Sequence, residues 1–233
     1  MLKIAKEWAI PNEVSRITLG LEKAGFEAYL VGGCVRDTIL NLKPRDWDVA
    51  TNAKPEEIIG IFEHTFYDNA FGTVGIVNES PSDPSLEVVE ATTYRLESGY
   101  SDRRRPDEVS FSQNLEDDLK RRDFTINSLA LGLPAGGSLA KIKDLKDPYK
   151  GLSDIEKGVI RCVGEPNERF SEDALRMLRA IRLFAELGFT ISAETTEAIE
   201  KNSDLLGKIA KERIRDEFAR IVMSDRSLEA LNL

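Results

Sequence analysis

Residues 29–51 read YLVGGCVRDTILNLKPRDWDVAT. The apolar run Tyr29–Val31 ends at Gly32 and Gly33, which break a strand and permit a tight turn. A helical pattern resumes over Cys34–Leu42 and stops before Pro44, and Asp46–Ala50 reads as a second short strand. In a strand, residues i and i+2 project from one face, so Asp46 and Asp48 converge. Like charges that close repel each other. A metal ion, a neighbouring cation or exposure to water would each resolve the conflict.

Upstream, residues 12–26 carry Val14, Ile17, Leu21 and Ala24 at helical spacing with a stop at Gly25. Downstream, a helix is expected around residues 54–64, followed by two strands, GTVGIVN (72–78) and SLEVVEATTYR (85–95), joined by a polar loop. Residues 96–114 are charged, contain Gly and Pro and show no sustained periodicity, which indicates a loop. A helix is expected over residues 115–133. Beyond GVIRCVGEP (158–166) the strand signal disappears and helical patterns follow, which places a boundary near Gly164. Strands interleaved with helices indicate an α/β or α+β sheet domain ahead of that boundary.

The 233 residues suffice for one large domain or two modest ones. A formal net charge of −9 argues against holding nucleic acid by bulk positive charge and confines such contacts to a local groove. Cys34 and Cys162 stand in no metal-ligand spacing and read as reduced thiols, and the single histidine, His64, reads as a surface residue. No apolar run approaches the roughly 20 residues that span a bilayer, and the N-terminus lacks a signal-peptide core. A soluble cytoplasmic protein without membrane partners is expected.

Three segments carry chemistry. Paired carboxylates at Asp46 and Asp48 suit oxygen-ligated Mg²⁺, which activates an attacking hydroxyl and stabilises a leaving phosphate. Taken alone, such a pair is more often simply two exposed carboxylates. The glycine pair beside it lets a phosphate approach backbone N–H groups at a helix start, with Arg36 adding charge. In RRDFTIN (121–127), Asp123 and Asn127 stand one helical turn apart, a spacing suited to ribose hydroxyls with Arg122 meeting phosphate, or to a solvated helix face. In SEDALRMLR (171–179), Asp173 and Arg176 are expected to share a helix face. Such a pair is commonly a surface salt bridge, but an acceptor beside a donor also matches the edges of cytosine and adenine. Uracil and guanine would leave unmet groups, each costing about 1–3 kcal/mol when desolvated.

Assembled, these segments resemble the class II nucleotidyltransferases, the family of bacterial tRNA CCA-adding enzymes and poly(A) polymerases. The resemblance runs through LVGGCVRD, RDWDVATNA, FGTVGIV, VEATTYR, YSDRRRPDEV, DLKRRDFTINSLA and GEPNERFSEDALRMLRAIRLF, in the family's order. It implies an α+β fold, with a polymerase-β-like head of mixed sheet and helices at residues 1–164 and an all-α, base-recognising neck at 165–233. It also implies a turn at Gly32, Gly33, Arg36 and Asp37, Mg²⁺ on Asp46 and Asp48 with support from Glu90, and sugar and triphosphate contacts by Arg122, Asp123 and Asn127. Base templating falls to Asp173 and Arg176, with Arg179 supporting them or the triphosphate. Residues Tyr100–Pro106 match a flexible loop associated with switching to terminal A addition. The implied partners are CTP, ATP and the tRNA 3′ acceptor end. Family members continue into body and tail domains that hold the tRNA elbow, whereas this sequence stops at SLEALNL (227–233). The Gly-Arg-Arg-Phe type segment of the poly(A) branch is missing, and NAFGTVGI (69–76) looks more like the CCA-adding branch. A-only addition, CC-only addition and poly(A) synthesis are the enzymatic alternatives, and a non-catalytic nucleotide- or RNA-binding remnant is the other.

Overall fold

The computed structural model describes residues 4–68, 72–99, 108–134 and 137–233, so the loop expected at Tyr100–Pro106 lies outside the described residues. The chain starts with β1 (Glu7–Ala9) and α1 (Asn12–Lys23). Helix α1 buries Val14, Ile17 and Leu21 on one face, and the chain leaves it through Gly25 at φ +92°. The unit over residues 29–51 follows as β2 (Ala28–Val31), α2 (Gly33–Ile39) and β3 (Trp47–Thr51), with Asp46 one residue ahead of the strand. Helix α3 (Pro55–Ile61) opens with proline at its first position, where a missing N–H costs nothing, and the Glu57 carboxylate accepts from the Lys54 N–H at 2.7 Å.

Next come β4 (Thr65–Asp68), β5 (Thr73–Val77), β6 (Val88–Thr93), β7 (Arg95–Ser98), β8 (Glu108–Phe111) and α4 (Leu115–Lys120). Short elements follow: β9 (Ala130–Leu131), β10 (Leu139–Lys141), β11 (Leu145–Lys146), α5 (Gly151–Lys157) and β12 (Val159–Ile160). The remainder is α6 (Pro166–Glu172), α7 (Leu175–Leu187), β13 (Thr190–Ile191), α8 (Ala193–Asn202), α9 (Lys211–Val222) and α10 (Ser227–Ala230).

Seven strands form a mixed sheet in the order β11-β9-β2-β3-β6-β5-β4, in which only β3 and β6 run parallel. The register sets Val31 opposite Asp48, and Asp48 beside Glu90. Alternation along the strands splits the apolar residues between two faces. Leu30 and Val49 join the main core with α1 and α3, while Val31 and Ala50 pack with Tyr94 and Leu119 beneath α4. Asp48, two residues from Ala50, therefore projects toward α4.

Besides the segment expected as a loop over 96–114, where β7 and β8 pair antiparallel, three sequence expectations are corrected. The helix expected over 115–133 stops at Lys120. Phe124 and Ile126 are both fully buried, which residues about 200° apart on a helix cannot be against one wall. The backbone there bonds instead to a distant segment: the Thr125 N–H donates to the Arg161 carbonyl (2.9 Å) and the Val163 N–H to the Asp123 carbonyl (3.0 Å). A 3₁₀ turn at Thr125–Asn127 leads on to β9. Second, the helix on whose face Asp173 and Arg176 are expected to lie together breaks at Asp173, whose backbone is extended (φ −139°, ψ 103°). Asp173 and Arg176 therefore do not share a helix face. Third, strand structure does not end at Gly164, because β13 pairs in parallel with β12. The core is also continuous: Phe170, Met177 and Leu183 belong to the same buried cluster as Phe124 and Ile155.

Candidate active site

A cleft of about 840 Å³ is lined by Gly32, Gly33, Arg36, Asp46, Asp48, Glu90, Arg122, Asp123, Asn127, Asp173, Arg176 and Arg179. Residues far apart in sequence, from Gly32 to Arg220, meet here because the turn after β2, the start of β3 and the segment after α4 face α7 and α9.

At the turn, Gly32 adopts φ 78°, ψ −141°. A Cβ there would also lie 3.0 Å from Arg122 Nη1 and 3.4 Å from Asp48 Oδ2, so glycine is required twice over. Arg36, buried on α2, donates from Nε to Asp37 Oδ1 (2.8 Å) and from Nη1 to Asn127 Oδ1.

The conflict between Asp46 and Asp48 is met in part by a cation. Asp118 on α4 is fully buried, and its two carboxylate oxygens hold Arg121 and Arg122, the latter at 2.8 Å. Burial works to raise the Asp118 pKa, but Arg122 and Arg121 outweigh it and hold the carboxyl below its usual range. Arg122, fixed in this way, faces Asp48. Even so, the Asp48 carboxyl is pushed up to about 7, first by burial and then by Asp46, Glu90 and Asp118, against the pull of Arg122. One arginine already shared with Asp118 does not neutralise three neighbouring acids. Beneath them Cys34 donates its S–H to the Val31 carbonyl (3.1 Å), and burial together with Asp48 pushes its thiol up to about 12, so it is inert.

Asp123 forms a second knot. Its Oδ1 accepts from the Phe124 N–H (2.8 Å) and Asn127 Nδ2 (3.1 Å), and its Oδ2 accepts from Arg179 Nε (2.8 Å) and lies 2.7 Å from Arg179 Nη2 in an ion pair. Burial alone would raise this carboxyl, yet Arg179, Asn127 and Arg176 hold it well below the usual range. These three donors and the ion pair tie down both of its oxygens.

At the break between α6 and α7, Asp173 caps α7 by accepting the Leu175 N–H at Oδ1 (3.1 Å), and its Oδ2 accepts from Arg213 of α9 at 2.9 Å. Arg176 is nearly buried and donates to the Glu172 carboxylate (2.7 Å) and to the carbonyls of Arg169 (3.2 Å) and Arg121 (3.1 Å). Both side chains line the cleft, each held by its own partners. Behind them Glu217 of α9 lies 2.8 Å from Arg182 and 3.8 Å from Arg179. The Arg182–Glu217 approach lacks hydrogen-bond alignment and is an ionic contact. Burial, followed by repulsion from Arg179, pushes Arg182 down to about 10.

The poly A polymerase head domain family matches residues 28–161. The chain belongs to the tRNA nucleotidyltransferase and poly(A) polymerase family. A second family, described as the probable RNA and SrmB-binding site of polymerase A, matches residues 188–233. The CCA-adding enzyme of Lactobacillus gasseri is 47% identical over 214 residues, covering 91% of this chain and 50% of that protein. Among solved structures, the Bacillus stearothermophilus CCA-adding enzyme in complex with CTP is 36% identical, with a TM-score of 0.80 over 95% of this chain and 51% of that one. A tRNA nucleotidyltransferase complexed with a primer tRNA and an incoming ATP analog is 28% identical, with a TM-score of 0.70 over 92% of this chain and 58% of that one. The chain thus spans about half the length of the curated relatives it matches.

In this member of the nucleotidyltransferase family, sequence reasoning missed Asp118, Arg213 and Glu217. Asp118 was detectable, because it precedes Arg121 and Arg122 by three and four residues in a helical segment. Arg213 lies 40 residues from Asp173 and had no local signal.

Proposed function

We propose that this chain transfers CMP and AMP from CTP and ATP to the 3′ hydroxyl of tRNA with release of pyrophosphate. The convergence of Asp46 and Asp48 with Asp173 and Arg176 in one cleft supports this reading, in a chain whose relatives are named CCA-adding enzymes. Residues 1–164 act as the head and 165–233 as the neck. Among the described residues, no helix is long and apolar enough to cross a membrane, in keeping with a reaction carried out in the cytoplasm.

Asp46 and Asp48 offer the hard oxygen donors that Mg²⁺ prefers. Among the described residues, no three His, Cys, Asp or Glu side chains form a closed metal cage. The Asp46 and Asp48 pair suits Mg²⁺, which takes one or two carboxylates and completes its shell with water and substrate phosphate. In this reading Glu90, beside Asp48 in the sheet, supports the site. When bound, the ion favours the attacking alkoxide and offsets charge on the leaving phosphate. The chain's own residues do the positioning. Arg122 and Arg36 attract the triphosphate next to the Gly32 turn, where no Cβ obstructs its approach. Asp123, with both of its oxygens engaged, aims Arg179 and Asn127 toward sugar and phosphate. Asp173 and Arg176, held from behind by Arg213, Glu172 and backbone carbonyls, present an acceptor and a donor to the base.

The test is incubation of the chain with Mg²⁺, each nucleoside triphosphate separately, and tRNAs ending before the first C, the second C and the A, with products sized on a gel. The expected pattern is CMP on the first two and AMP on the third, with no UMP or GMP. Addition of A alone, of CC alone or of long A runs would assign the corresponding alternative. No incorporation on any substrate would refute the reading.

A further inference from the structure

Beyond the residues assigned above, the cleft is also lined by Arg45, Glu186 and Arg220. Arg45 lies in the link leading to Asp46, Glu186 on the last turn of α7, and Arg220 on α9. Both arginines reach the same oxygen: Arg45 Nη1 is 3.3 Å and Arg220 Nε and Nη2 are each 3.2 Å from Glu186 Oε1. The other carboxylate oxygen is 3.8 Å from the buried Arg182. The side chains of Arg45 and Arg220 are 66% and 40% exposed, while Glu186 is 16% exposed. Among the described residues, Glu186 is the carboxylate within ion-pair distance of either guanidinium. Each guanidinium carries five donors, so most of them face water.

Two exposed arginines sharing one oxygen are weakly held, because water screens the attraction and competes for their donors. Giving up Glu186 costs them little, and Glu186 keeps Arg182. A phosphate offers three things that Glu186 does not: a separate oxygen for each arginine, bidentate geometry and a full share of charge. The pair also joins the link before Asp46 to α9, so a phosphate seated at the Glu186 position would touch both. We propose that Arg45 and Arg220 form a contact for the phosphate backbone of an RNA 3′ end, and that Glu186 holds them in place and yields them when a phosphodiester enters. This rests on the proposed addition of nucleotides to RNA.

The experiment measures the Kd of a tRNA lacking its CCA end, by filter binding at several salt concentrations. Wild type, Arg45→Gln, Arg220→Gln, the double variant and Glu186→Gln are compared, with CTP binding as a separate arm and thermal melts to show that each variant is folded. The double variant should weaken RNA binding about three- to tenfold and flatten the log Kd against log salt slope by roughly 0.7 per arginine lost. Its CTP affinity should match wild type, and Glu186→Gln should bind RNA more tightly. RNA affinity and slope unchanged in the double variant would overturn the contact, as would a loss confined to CTP. Weaker RNA binding by Glu186→Gln would overturn the exchange. A wild-type chain that adds nucleotides while the variants bind RNA unaltered refutes only this proposal; a wild type that neither binds RNA nor extends it refutes the functional reading as well.

Discussion

Replacing Gly151 with alanine would strike the site from behind. Gly151 opens α5, is buried, and has an ordinary negative φ, so the backbone itself tolerates a side chain. Space does not: an added Cβ would lie 2.1 Å from the Thr125 carbonyl oxygen and 2.8 Å from its carbon. Relief requires α5 and the Thr125–Asn127 turn to separate by about 1 Å, and both are backbone in a close-packed interior. Overpacking of this kind costs about 1–3 kcal/mol in side chains that can adjust, and a backbone-to-backbone clash belongs at or above the upper end, roughly 3 kcal/mol. The displaced turn carries Asn127, which links Arg36 to Asp123. Misplacement by about 1 Å at that link should lower nucleotide addition about 100-fold. Gly75→Ala is the control. Its Cβ would meet the Phe66 ring at 2.2 Å, but Phe66 is 53% exposed and can rotate away, so the loss should stay under about 1 kcal/mol. Urea unfolding followed by circular dichroism gives both stabilities, and single-turnover extension gives the rate. Equal stability losses for the two variants, or Gly151→Ala within about 1 kcal/mol of wild type, would refute the reasoning.

Asp123→Asn should cost about 1.5–3 kcal/mol near neutral pH, because Arg179, itself 36% exposed, loses its bond to a buried carboxylate and keeps the more distant Glu217. The folded carboxyl titrates below its unfolded value, so its contribution is present above about pH 4 and fades as the pH falls. Melting temperatures of the two proteins should therefore differ by a constant amount from pH 5 to 8 and converge in acid. Asp46→Ala or Asp48→Ala should abolish nucleotide addition, while melting temperature without divalent cations holds or rises because repulsion is relieved; near wild-type turnover in either variant would show that the chemistry lies elsewhere. Asp173→Ala and Arg176→Met should relax discrimination against UTP and GTP more than they weaken triphosphate binding, measured as the ratio of kcat/KM values, and unchanged selectivity would remove these residues from base reading.

Residues 29–51 were legible because their structure is local. A glycine that needs positive φ, a proline and a two-residue alternation each act within a few positions. The cleft-lining positions from Gly32 to Asp48 and from Arg122 to Arg179 that the family's motifs cover were equally legible, while Arg213, Glu186 and Arg220 were not. The conformation of the covered positions was not legible. Asp123–Asn127 reads as a helix turn, but its backbone bonds to Arg161 and Val163, nearly 40 residues away, and such pairing leaves no periodic trace. The break at Asp173 is invisible because Ser171, Glu172 and Asp173 are all compatible with a continuing helix. The extended backbone there goes with a capped Leu175 N–H and an ion pair to Arg213. Strands of two or three residues, β9 to β13, are too short to show alternation at all.

The parallel pairing of β12 with β13 has a consequence for a cut chain. Around it, the Thr190 N–H donates to the Gly158 carbonyl (2.8 Å), the Ser192 N–H to the Ile160 carbonyl (2.9 Å) and the Cys162 N–H to the Thr195 hydroxyl (3.3 Å). All three bonds join backbone on one side of Gly164 to residues on the other. A protease nick after Gly164 would sever the covalent link and leave these bonds, with the shared core beneath them, in place. The two pieces should then travel together through a sizing column and come apart only in denaturant. Expressed separately, each would expose the apolar surface it owes to the other. Mixed, they should reassemble from halves.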